Sequence, residues 1–148
     1  MSAACPSDCE LCREPGGLVV HRAAEWRVVR VADPDFPGFY RVIWNAHVAE
    51  FSDLDRAARQ RCMDAVAAVE GALREALAPV KINLASLGNV VPHLHWHVIA
   101  RFDWDSRFPQ PVWAAARRTV EPPAESRLAL SLAALDVRVA GAAGAAGP

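Results

Sequence analysis

Apolar positions along this chain change period several times, and each change marks an element. "GGLVV" (16–20) and "EWRVVRVA" (25–32) are short β-branched runs that follow turn signals, and they predict two successive strands. "DPDFPG" (33–38) supplies Asp, Pro and Gly for a turn, and "FYRVIWN" (39–45) predicts a third strand. Such brief connections favour antiparallel pairing over crossovers. The period then lengthens. Across "FSDLDRAARQRCMDAVAAVEGALREALAP" (51–79), Leu54, Ala58, Cys62, Val66, Val69, Leu73 and Leu77 recur at spacings of four and three. That is one apolar stripe on one long helix. Ser52 is placed to cap its start, with Asp55 as a shortened capping-box acid, and Pro79 stops it.

Beyond the helix, "VKINLASLG" (80–88) and "HLHWHVIARF" (93–102) predict two more strands, joined by "GNVVP". "DWDSRFPQPVW" (103–113) is rich in proline and aromatics and is expected to wrap the body without regular structure. "ESRLALSLAALDVRV" (125–139) fits a helix or a strand-like segment equally well, and "AGAAGAAGP" (140–148) reads as a disordered, low-complexity tail. The expected organisation is one domain over residues 1–113, a C-terminal extension over 114–139 and the tail over 140–148.

The histidine-bearing strand is the most informative stretch. The chain has five histidines, and His93, His95 and His97 fall within five consecutive residues. In a strand all three project the same way, about 6.6 Å apart along the backbone, while Leu94, Trp96 and Val98 point to the opposite face and pack on the helix. A helix would scatter the rings, and the spacing does not match the zinc-protease pattern of two histidines four apart. A row of imidazoles suits phosphate chemistry: one neutral ring attacks phosphorus while a neighbour donates a proton or hydrogen bond to the leaving atom.

Composition narrows the setting. The chain has 148 residues, 53% of them hydrophobic, enough for one domain with a substantial core. Basic and acidic residues number 16 and 17, interspersed, for a net charge of −1, which argues against polymeric nucleic acid but leaves a single nucleotide open. No run approaches a membrane span, and "MSAACPSDCELC" has neither the basic start nor the apolar stretch of a secretory signal. A soluble cytoplasmic protein is the expectation. There a Cys-x-x-Cys pair such as Cys9 and Cys12 is more often metal-binding or redox-active than a structural disulfide. A thioredoxin-like redox role would need a βαβ context, which the neighbouring strands do not provide. Cys62 lies on the helix stripe as core, and His21 is expected at the surface.

"HLHWHVI" resembles the His-φ-His-φ-His-φ-φ signature of the histidine triad (HIT) nucleotide hydrolases and transferases, with Leu94, Trp96, Val98 and Ile99 as the apolar positions. "PGFYRVIWNAHVAEFSDL" is similar to that family's segment leading into its long helix, and the resemblance covers roughly residues 9–113. It implies an α+β, HIT-like fold: about five antiparallel strands with one long helix packed across them, usually as a homodimer. It also implies cleavage or transfer of a nucleoside monophosphate, often AMP, from dinucleoside polyphosphates, phosphoramidates or related substrates. By position His95 would be the nucleophile that forms a nucleotidyl-histidine intermediate, and His97 would contact the phosphate and the leaving group.

The same resemblance bears on the cysteines. Cys9-x-x-Cys12 alone is half a zinc site. The family's metal-bearing members add the His just before the long helix and the first triad His, here His47 and His93. Four protein ligands leave no open position, so the implied zinc is structural. Cys5 could replace Cys9 only with a poorer spacing.

Departures from the family pattern fall around the phosphate. The loop before the triad is short and reads Gly88-Asn89-Val90, where the family usually has Gly-Gln-Ser or Gly-Gln-Thr. Asn89 can still donate an amide N–H, whereas Val90 has no hydroxyl. Phe39 stands where many members carry a supporting histidine. Asn83 could reach the site or cap its strand, and Asp33 could accept from ribose hydroxyls or serve its Asp-Pro turn. Arg101 could pair with phosphate or flank its strand, and Trp113 is expected as a core contact. The competing reading is a non-catalytic nucleotide-binding or zinc-stapled module that keeps the fold.

Overall fold

A computed structural model describes residues 4–148. A short helix α1 (Glu10–Arg13) precedes strands β1 (Leu18–Arg22), β2 (Trp26–Arg30) and β3 (Phe39–Trp44). The long helix α2 (Arg56–Leu77) follows, then β4 (Lys81–Ala85), β5 (His95–Arg101) and the C-terminal helix α3 (Leu132–Ala145). The strands form one antiparallel sheet in the order β1-β2-β3-β5-β4. The α+β architecture read from the sequence is the one observed.

The two faces of this sheet are covered differently. On one face Val28, Tyr40, Val42, Val98 and Ala100 meet the helices, and all seven residues of the α2 stripe are buried there or at its margin. Asp55 caps α2, its Oδ1 accepting from the Ala58 N–H at 2.8 Å. Ser52 does not cap it, because Phe51–Asp53 first closes its own 3-10 turn, with the Asp53 carboxylate accepting from the Glu50 N–H at 2.9 Å. Ala78, in the left-handed region at φ 47°, ends the helix one residue before Pro79.

The C-terminal region corrects the sequence reading. Helix α3 continues through Ala145, so most of the stretch expected to be disordered is helical. Leu135, Val139 and Ala143 bury one face of it, and alanines that looked like low complexity are good helix formers once that face is covered. Asp136 anchors the helix, accepting from Arg30 Nε at 2.9 Å and from the Tyr40 hydroxyl at 2.7 Å. His21 is half-buried beside it, 5.4 Å from the Trp26 ring, rather than on the open surface.

The other face carries Val29, Phe39, Arg41, Ile43, His95, His97 and Ile99, and it is covered by loops. From the N-terminal side, Cys9 and Leu11 pack on Val29 and Ile43. Arg27 fixes that segment by donating to the carbonyls of Leu11 at 2.7 Å and Pro15 at 2.9 Å. At Gly16, with φ +87°, a side chain would collide with Leu11 and Ile43, so the close approach requires glycine. Further along, Phe36 from the turn before β3 and Val112 from the segment after β5 pack on Phe39 and Ile99. The irregular segment from 103 to 113 is held by Asp105, which pairs with Arg101 at 2.7 Å and accepts from the N–H groups of Phe102, Arg107 and Phe108.

Candidate active site and metal centre

The three histidines divide between two tasks. His93 lies just outside β5, in the backbone pairing that brings the ends of β3 and β5 together: Trp44 N–H donates to Leu94 O, and Leu94 N–H donates to Val48 O. That pairing sets His47 beside His93, with ring centroids 5.1 Å apart. His93 Nε2 lies 2.6 Å from the Trp44 carbonyl and must donate to it, because a carbonyl only accepts. Its Nδ1 therefore keeps a lone pair, directed at His47 Nδ1 (3.3 Å), Cys9 Sγ (3.4 Å) and Cys12 Sγ (3.6 Å).

These four donor atoms all lie within 4.8 Å of one another. A tetrahedron with zinc–sulfur bonds of about 2.3 Å and zinc–nitrogen bonds of about 2.0 Å has edges of roughly 3.3–3.8 Å. Four of the six separations, 3.3 to 3.6 Å, match those edges, and the donor set is two thiols and two imidazoles, so the residues present fit a structural zinc. Cys5 sits against Cys12 in disulfide register and does not occupy the place of Cys9. Cys12 is thus within reach of two partners, a metal and Cys5. The metal arrangement engages Cys9, Cys12, His47 and His93 together, whereas the disulfide engages only Cys5 and Cys12.

His95 and His97 both face a cavity of about 550 Å³, large enough for a nucleotide. His95 Nδ1 lies 2.6 Å from the His93 carbonyl and donates to it. The tautomer is thereby set, leaving Nε2 as the free, nucleophilic nitrogen. The His97 ring stands 5.0 Å from that of His95, with Phe39 and Trp113 each 5.4 Å away, and its Nδ1 is buried without a partner. Burial chiefly, with Arg41 nearby, pushes the His95 pKa below its ordinary value. Burial, then the charge of His95 and of Arg41, takes His97 down to about 4. Both rings are therefore neutral at physiological pH.

Other residues singled out from the sequence separate cleanly. Gly88, in the left-handed region at φ +77°, and Asn89 line the cavity with the histidines. Asp33 does not line it; its Oδ1 accepts from the Asp35 N–H at 2.9 Å, which is the turn role. Asn83 is likewise held away, its Oδ1 accepting from Arg101 Nη1 at 2.7 Å. Arg101 is buried in that network and is not available to phosphate. Trp113 is 55% exposed on the cavity wall rather than in the core. Arg41 was missed. The signal was present, since strand alternation sets it on the same face as Phe39 and Ile43, in the strand beside the histidines.

Comparison with known proteins places the fold. No curated protein matches the chain. Among solved structures, a histidine triad protein from Bradyrhizobium japonicum is 29% identical, with a TM-score of 0.64 over 72% of this chain and 79% of that one. A histidine triad (HIT) protein from Sinorhizobium meliloti 1021 is 25% identical, with a TM-score of 0.67 over 84% of this chain and 88% of that one. A histidine triad protein from Marinobacter aquaeolei VT8, at 22% identity, shares the fold with a TM-score of 0.71 over 90% and 93%. The HIT domain itself matches residues 14–104, and the chain belongs to the HIT family, whose domain is that of nucleotide-binding hydrolases and transferases.

Proposed function

We propose that this protein is a nucleotide hydrolase or nucleotidyltransferase that releases a nucleoside monophosphate, with AMP as the first candidate. The observation that carries the reading is the His95 tautomer: Nδ1 is committed to the His93 carbonyl, and Nε2 is left with a lone pair beside a nucleotide-sized cavity. In the first step a bond forms from His95 Nε2 to the α-phosphorus, and the bond from phosphorus to the leaving oxygen or nitrogen breaks. His97, neutral, offers its ring N–H to the phosphate and the departing atom. In the second step water or another acceptor attacks phosphorus, the phosphorus–nitrogen bond breaks, and His95 is restored. The backbone and amide N–H groups at Gly88 and Asn89 stabilise charge on the phosphoryl oxygens.

Zinc in this reading is structural. Cys9, Cys12, His47 and His93 hold it, and its part is to fix the start of β5 and the N-terminal segment next to His95. A cytoplasmic setting, where thiols stay reduced, belongs to the same reading. So does a homodimer. Strand β4 is an open sheet edge, with Val80, Leu84 and Leu87 exposed along it, and no described helix is long and apolar enough to cross a membrane. A non-catalytic binding module is the rival reading, and Val90 favours it: 92% exposed, it has no hydroxyl to offer phosphate.

Intact-protein mass spectrometry after brief incubation with adenylylated substrates decides between the two. An acid-labile adduct of one nucleoside monophosphate, absent from His95→Ala, is the expected result. Nucleotide binding with no adduct and no turnover across the panel would establish the binding module instead.

A further inference from the structure

Arginines on the strands are mostly engaged. Arg27 donates to backbone carbonyls and to Asn45, Arg30 pairs with Asp136, and Arg101 pairs with Asp105. Arg41 differs from all three. It stands on β3 opposite His97 and lines the same cavity as His95 and His97. Its Nη1 donates to the Gly16 carbonyl at 3.1 Å, while its Nε is buried with no partner. Among the described residues no carboxylate pairs with it. Glu10 shares the cavity wall and attracts Arg41 across it without forming an ion pair.

A guanidinium stays protonated at any physiological pH. Holding one half-buried without a counter-ion is costly, and an anion entering the cavity offsets that cost. The strand register says which anion. Ile43 lies opposite His95, and Arg41 lies opposite His97. The cation is therefore level with the ring assigned to the leaving group, one step along the sheet from the ring assigned to attack.

We propose that Arg41 is a specificity-determining residue that binds the leaving group as an anion, so that this site prefers nucleotide anhydrides, whose leaving group is itself a phosphate chain, over phosphoramidates, whose leaving group is an amine. The proposal rests on the assignment of His95 and His97 above. Its planar fork suits a phosphate, two parallel N–H groups meeting two oxygens.

The test compares wild type with Arg41→Gln and Arg41→Lys on two donors of the same AMP group, diadenosine tetraphosphate and adenosine 5′-phosphoramidate. In Arg41→Gln, kcat/KM for the tetraphosphate falls roughly 100-fold, and at least about ten times further than for the phosphoramidate. Arg41→Lys, which keeps the charge but not the fork, recovers part of that difference. Equal losses on both donors would put Arg41 on the shared α-phosphate or in the fold, and overturn the proposal, as would no loss on either. A wild type that loads neither donor sinks the assignment of His95 but still leaves this proposal testable by calorimetry. ATP then binds at least about tenfold tighter than AMP to wild type, and Arg41→Gln erases the difference; equal wild-type affinities overturn it.

Discussion

The helix-covered and loop-covered faces of this one sheet are built on opposite principles. On the first, Val28, Tyr40, Val42, Val98 and Ala100 meet α2 and α3 through apolar contacts repeated at helical and strand periods. On the second, loops bring polar groups over the sheet through individual hydrogen bonds between segments far apart in the chain, such as Cys9 to His93 at its edge and Arg41 to Gly16. Burial on the first face is non-directional and spread over many residues. Polar groups on the second have at most a few specific partners, and His97 Nδ1 and Arg41 Nε have none, so a single substitution there changes chemistry before it changes the fold. The difference teaches where stability and function are separable in this protein.

Metal removal gives the sharpest separation. With free zinc at about a thousand times its Kd, occupancy contributes about 4 kcal/mol. Cys9→Ser is expected to lose zinc and that stabilisation, with protease cleavage appearing first near residues 9–15 while α2 stays protected. Cys5→Ser should keep one zinc per chain, as measured by elemental analysis. Zinc retained in Cys9→Ser, or lost in Cys5→Ser, would break the four-ligand assignment. On the other face, Leu73→Ala removes a fully buried side chain facing the sheet and should cost about 2–5 kcal/mol in chemical denaturation. Below its melting temperature that variant should still load His95 at close to the wild-type rate. Slow loading by a folded Leu73→Ala chain would show that the faces are coupled.

Legibility from the sequence followed the same division. The α2 stripe was readable because a long apolar period leaves few alternatives, and the antiparallel pairing of neighbouring strands followed from short connections, whereas the β3–β5 pairing joins strands far apart in the chain. The common face of His95 and His97 was readable because strand alternation is local. His93 was not on that face, since β5 begins two residues later and the turn carries His93 to the cysteines. Asn83 and Arg101 illustrate the limit: each was a candidate for nucleotide contact, but they bond to each other across adjacent strands, a pairing that depends on register. Helix α3 is open against a strand over 125–139 in the sequence, and its end reads there as a disordered tail because composition outweighs period, although Leu135, Val139 and Ala143 recur every four residues.

The start of α2 shows how a local signal can be right in kind and wrong in place. "FSDLD" holds three residues able to cap a helix, and spacing alone favours Ser52, with Asp55 three residues on. The structure inverts their roles: Asp55 takes the Ala58 N–H at 2.8 Å, and Ser52 sits in the preceding 3-10 turn with no cap bond. Leu54 explains the choice, because burying it requires one extended residue between the turn and the helix, and Asp55 is the next residue free to cap. Asp55→Ala should therefore cost about 1 kcal/mol. Ser52→Ala should stay within about 0.5 kcal/mol of wild type in the same denaturation experiment. The reverse ranking would move the helix start back to Ser52, and with it the exit of the chain from the segment that carries His47 to the Cys9, Cys12 and His93 cluster.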